Sequence, residues 1–175
     1  MKRGGAILFL LGIGGVAFLA YSLSKNKRLS PNVIPNSITS ANRTILQMTA
    51  PGIRNNNPLN IEYSTRNNWV GQTGSDGRFA KFVDIEHGFR AAYIDLSNKL
   101  KRGLNTVAAI VSTWAPASDG NDTATYIKNV SRRMNVLEFT PLSQSDLPRL
   151  IQAMAIQEVG KEYPMSTIMA GVKLV

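Results

Sequence analysis

The sequence predicts an α+β domain, mostly helical with a small antiparallel sheet, preceded by one N-terminal transmembrane helix. Three observations predict it: an uncharged apolar run at 4–23, a turn-rich stretch of short β-like segments between residues 60 and 82, and several segments of helical period downstream. At 175 residues the chain has room for one modest folded domain behind such an anchor. Parallel βαβ arrangements fit poorly, because the strand-like segments cluster instead of alternating with helices.

The opening run, "GGAILFLLGIGGVAFLAYSL", is as long as a bilayer-spanning helix requires and carries no charge. Lys2 and Arg3 precede it, and Lys25, Lys27 and Arg28 follow it. Residues 1–28 are therefore read as an uncleaved anchor with basic flanks, a cleaved secretion signal being the competing reading. Residues 29–50, rich in Ser, Asn and Pro and without period, read as a linker. The folded domain is expected over 51–175.

Within it, "NIEYS", "NWVGQTG" and "GRFAKF" read as three short strands, with Ser75-Asp76-Gly77 as a tight turn. Asp84 is placed to cap a helix through Leu100 that turns Ile85, Phe89, Ala92, Tyr93 and Leu96 inward and ends at Gly103. A second helix is expected from Thr106 to Trp114, stopped by Pro116, and a third from the Asn121-Asp122-Thr123 cluster, burying Tyr126, Ile127, Val130 and Met134. The last helix is expected from about Ser145 to Gly160.

That last segment contains an anomaly. Leu147, Leu150, Ile151, Met154 and Ala155 form one apolar stripe at helical period, and Glu158 falls in the middle of it. Apolar surroundings and the negative end of the helix dipole near Gly160 would both raise the carboxyl pKa. A carboxyl protonated near neutral pH is what glycosidic cleavage requires of its general acid. The bland alternative has Glu158 reaching solvent at a frayed helix end and pairing with Lys161.

Charge and composition bound the chemistry. The formal net charge is +9, and the first acidic residue is Glu62, so polyanionic neighbours are favoured: lipid headgroups, cell-wall polymer or nucleic acid. The chain has no cysteine and a single histidine, His87, leaving little material for thiolate or multi-histidine metal sites or a histidine-based triad. No metal and no cofactor is expected. The basic clusters Arg132-Arg133 and Lys99-Lys101-Arg102 come with no nucleic-acid-binding motif, so no specific nucleic-acid partner is expected.

The segment "AMAIQEVG" resembles the helix end that carries the catalytic glutamate in lysozyme-like lytic transglycosylases and in bacterial glucosaminidases. "RNNNPLNIEYSTRNNWVGQ" and "GRFAKFVDIEHGFRAAYIDLSNKL" resemble the part that follows that helix in those families, here placed before it. The reversed order implies a circularly permuted lysozyme-like fold with the glutamate helix moved toward the C-terminus. Residues 51–175 also resemble small phage virion-associated peptidoglycan-degrading proteins, through "NNNPLNI" and "WAP…TATYIKNV" in combination; Leu59 stands where that pattern has a glycine.

The resemblance implies a peptidoglycan lytic transglycosylase whose catalytic residue is Glu158, cleaving between N-acetylmuramic acid and N-acetylglucosamine. It implies substrate-binding roles for Asn57, Asn60, Trp69, Gln72 and Tyr126, the Tyr126 hydroxyl orienting either the carboxyl or a sugar amide. Trp69, in a polar turn-rich segment, is the expected sugar platform, whereas Trp114 follows its helix's rhythm and reads as core. Glu62 is the runner-up carboxylate; Asp84 and Glu86 are explained by helix capping. Expected partners are peptidoglycan glycan strands, a lipid bilayer and other virion proteins. A single-pass protein of the virion membrane or the bacterial inner membrane, its domain facing the wall, would suit them. The rival from another class is a non-catalytic structural virion or envelope protein with a wall-binding module of this fold.

Overall fold

The computed structural model describes residues 50–175. The expected anchor over 1–28 and linker over 29–50 lie, except for Ala50, outside the described residues. Among the described residues no helix is long and apolar enough to cross a membrane.

A short helix, α1 (Pro51–Arg54), opens the described chain, with proline at its first position, where no N–H is needed. The hairpin β1 (Gln72–Ser75) and β2 (Ala80–Phe82) follows. Then come α2 (Ile85–Lys101), α3 (Val107–Trp114), α4 (Thr123–Met134), α5 (Leu147–Val159) and α6 (Met165–Val172). The architecture is α+β, mostly helical with a two-stranded antiparallel sheet.

Local chemistry sets the boundaries. The Asp84 carboxylate accepts from the His87 N–H at 2.9 Å, Thr106 Oγ1 from the Ala109 N–H at 3.1 Å, and Asp122 from the Thr125 N–H at 3.0 Å, so α2, α3 and α4 each start on a side-chain cap. Asn135, in the left-handed region at φ 54°, ends α4. Gly160, at φ 67°, ends α5.

Three expectations are corrected. "NIEYS" is not a strand: Asn60 has φ 51°, which breaks extended geometry, and only the bridge Glu62–Phe79 survives beside β2. "NWVGQTG" is strand only from Gln72, because Gly71 sits at φ 78°, and the register shifts between Gln72 and Gly74. Nor is the helix ending at Val159 the last. After Pro164, α6 packs back on α2, with Ile168 and Gly171 buried.

The stripe of α5 explains the core. Leu147, Leu150, Ile151, Met154 and Ala155 are all fully buried, and α5 packs against α1, α2, α4 and α6. Phe89 and Leu96 from α2, Ile110 and Val111 from α3, and Val130 and Met134 from α4 complete it. Each such side chain stabilises the fold by about 1.5–3 kcal/mol. Phe89 meets Tyr163 edge-on, with ring centroids 5.1 Å apart. Where the stripe runs out of core, at the C-terminal turn of α5, it reaches Glu158.

Candidate active site

The Asn-rich segment after α1 positions one wall of the site. Asn55 Nδ2 donates to Asp76 at 2.6 Å, and Asn56, at φ 52°, donates to the Phe82 carbonyl at 3.1 Å. Asn57 is fully buried: its amide donates to the Ile61 and Ala80 carbonyls, both at 2.9 Å, and its oxygen accepts from the Ile61 N–H at 2.8 Å. These asparagines clamp the segment to the hairpin. Asn60 is different: its left-handed backbone turns its side chain toward α5, where Nδ2 donates to Glu158 Oε2 at 3.0 Å.

The other oxygen of the carboxyl, Glu158 Oε1, accepts from the Tyr126 hydroxyl on α4 at 2.8 Å. Tyr126 is itself buried. Loss of solvation at the base of a cleft raises the Glu158 pKa from 4.5 to about 7, against the opposing pull of hydrogen bonds from Asn60, Tyr126 and Trp114 and of the Arg78 charge. The residue as a whole is half-buried and lines the cleft. Burial first, and the adjoining Glu158 second, hold the Tyr126 hydroxyl well above its ordinary ionisation range, so it remains a donor.

Above the carboxyl lies a cleft of ≈ 550 Å³, within the range of small-ligand sites. Asn60, Trp69, Trp114, Asp95, Lys99 and Glu158 are among the residues that line it. Its rims are charged in pairs: Arg78 meets Glu62 at 2.8 Å, and Lys99 meets Asp95 at 2.8 Å. Lys99 also stands over the Trp114 ring, with Nζ 5.2 Å from the centroid. The wall after α3 is tied down by Thr123 Oγ1 donating to the Ala115 carbonyl at 2.6 Å and Asn121 Nδ2 to that of Pro116 at 3.0 Å.

The structure thus brings together Glu158, Asn60, Tyr126 and Trp69. It does not bring Asn57 or Gln72 to the cleft. The substrate-binding expectation for Asn57 is corrected, because every polar atom of its side chain is engaged inside the protein. That for Gln72 is corrected because it lies on β1, outside the lining, with its side-chain oxygen buried. Tyr126 touches the carboxyl and does not line the cleft.

Lys161 is not the partner of Glu158; its ammonium lies 4.8 Å from the centre of the Tyr163 ring. Glu62 lies exposed in its pair with Arg78, and His87 Nδ1 lies 2.7 Å from Asp84. Sequence reasoning missed Trp114, Asp95 and Lys99 as cleft residues. The four-residue spacing of Asp95 and Lys99 signals a helical ion pair, but nothing in it says which way the pair faces. Among the described residues, no group of three or more His, Asp or Glu is placed to hold a metal ion.

No protein-family model matches the chain. Protein P5 of Pseudoalteromonas phage PM2 is 34% identical over 122 residues, which cover 67% of this chain and 76% of that protein. The chain belongs to the Protein P5 family. This likeness gives the Protein P5 family member described here a phage relative and leaves its chemistry to be argued from the cleft.

Proposed function

We propose that the chain is a membrane-anchored peptidoglycan lytic transglycosylase, virion-associated in a phage, that cleaves between N-acetylmuramic acid and N-acetylglucosamine on a circularly permuted lysozyme-like fold. The single observation that carries this reading is the Glu158 carboxyl at the base of the cleft, with a pKa raised to about 7. The membrane placement rests on the apolar run at 4–23.

In this reading protonated Glu158 gives its proton to the glycosidic oxygen, the C–O bond breaks, and the N-acetylglucosamine chain leaves. The substrate's own N-acetyl group stabilises the sugar cation. The muramoyl 6-hydroxyl then attacks that carbon and returns its proton to Glu158, closing an anhydro ring and restoring the acid. Asn60 and Tyr126 donate to both carboxyl oxygens and so favour the ionised form that exists between the two proton transfers. Trp69 and Trp114 supply flat faces for sugar rings.

Incubation of the protein with purified sacculi, followed by mass spectrometry, should release anhydro-muropeptides, and Glu158→Gln should reduce release by about 10²-fold or more. Unchanged release by the variant would remove Glu158 from the role. A second reading, hydrolysis, is favoured by Asp95 and Asp119, which line the same cleft and could activate a water. Reducing ends in place of anhydro ends would select it. Sacculus binding with no fragments released would select a non-catalytic wall-binding module.

A further inference from the structure

The two most exposed of the large apolar side chains among the described residues sit together at one turn. Leu137 is 80% exposed and Phe139 75%. The turn is closed by the Thr140 N–H donating to the Leu137 carbonyl at 3.0 Å, a place where small polar residues are the rule. It is held to the body of the domain: the Ala108 N–H donates to the Glu138 carbonyl at 3.0 Å, and the Leu142 N–H to that of Asn105 at 2.6 Å. Val136 packs against the core beneath it. The two side chains are therefore presented outward by a fixed frame.

Beside them runs a groove of ≈ 450 Å³ whose floor includes Ser131 on α4, buried, with a hydroxyl that has no partner among the described residues. Lys128 lines the same groove, and Arg132 lies one helical turn further on, both exposed. Glu138 is the one acid in the lining.

We propose that this turn is a second membrane contact: Leu137 and Phe139 insert into the interface of an anionic lipid bilayer, with Lys128 and Arg132 over the headgroups. Two apolar side chains are too little for a stable protein interface, which needs about 800 Å² on each partner. A small apolar wedge flanked by cations, on a chain of net charge +9, suits an anionic lipid surface. The exposed Lys128 ammonium offers donors to a phosphate oxygen.

The position is consistent with this use. The start of α4 borders the cleft, through Asn121 in its lining and Tyr126 on Glu158, and the turn follows its other end. Twelve helical residues separate the two by roughly 18 Å, so a domain seated on the turn holds its cleft off the bilayer. The inference is independent of what the cleft does.

The test exploits the absence of cysteine from the chain. The full-length protein carrying Pro141→Cys, labelled with a polarity-sensitive fluorophore, is mixed with vesicles of phosphatidylcholine alone or with added phosphatidylglycerol. The emission should shift to the blue on anionic vesicles and be quenched by lipids brominated in their acyl chains. A label at Thr65→Cys should stay water-like. Adding Leu137→Ser and Phe139→Ser should abolish the shift, and adding Lys128→Glu and Arg132→Glu should cut it several-fold. The proposal is overturned if the Pro141 label stays in water while the protein sediments with the vesicles, or if neutral vesicles shift it equally. It is overturned too if the shift grows with protein concentration without lipid, which would make the turn a contact between copies.

Discussion

Glu158 ionises near pH 7 in the folded chain against 4.5 for an ordinary glutamate, so between those values the fold retains a proton that the unfolded chain has lost. Stability linked to this group is fully present below pH 4.5 and is lost as pH rises through 7, by up to about 3 kcal/mol and less to the extent that the cleft admits water. Glu158→Gln removes that loss: its Tm should equal that of the wild type near pH 4 and exceed it near pH 8.5, as calorimetry would record. Under the proposed function, activity should fall on the alkaline side with a midpoint near 7, since the donor must be protonated. Tyr126→Phe removes a hydrogen bond that favours the carboxylate; it should push that midpoint upward and cost about 10-fold or more in rate, read from a pH profile of muropeptide release. The anomaly in the α5 stripe was legible in the sequence because a carboxyl at an apolar phase stands out. Which of the neighbouring asparagines would face it was not, because Asn57 and Asn60 have the same chemistry and differ only in backbone twist.

At the scale of elements, the approach of α1 to the end of α5 governs the site. A Cβ built on Gly52 would lie 2.6 Å from both the Asn57 carbonyl oxygen and Val159 Cγ1, and 2.7 Å from Asn60 Oδ1. Gly52→Ala should therefore destabilise the fold by about 1–3 kcal/mol in thermal unfolding and displace Asn60 from Glu158. Asn57→Ala takes a donor from the Ala80 carbonyl and the acceptor from the Ile61 N–H, while the Ile61 carbonyl keeps the Ala80 N–H, and should cost about 2 kcal/mol in thermal unfolding; under the proposed function, muropeptide release should persist below the melting range. The helices α2, α3 and α4 could be read to within a residue or so because each opens on a capping side chain. The helix α6 was not: Thr167 and Ile168 within it and Gly171 near its end weaken its local propensity, and burial of Ile168 and Gly171 on the core favours it. "NIEYS" erred the other way, alternating like a strand while Asn60 turns the backbone out of line.

For the molecule as a whole, the excess of 20 Lys and Arg over 11 Asp and Glu is a long-range attraction to polyanions and carries no sequence preference. Binding to duplex DNA should appear at low salt and vanish by about 0.15 M, as a filter-binding titration would show. Composition and period gave access to the α+β class. The cleft was harder to see, because its walls come from the Asn-rich segment, α2, the end of α3 and the end of α5, which sequence distance scatters. The hydrogen bond from Asn60 to Glu158 joins residues 98 apart. Such a pair exists only when the intervening chain has closed around it, so neither half of the domain can form the site alone. Under the proposed function, muropeptide release and circular dichroism should therefore vanish at one shared temperature on heating, so that the released sugar ends would gauge the cooperativity of the fold.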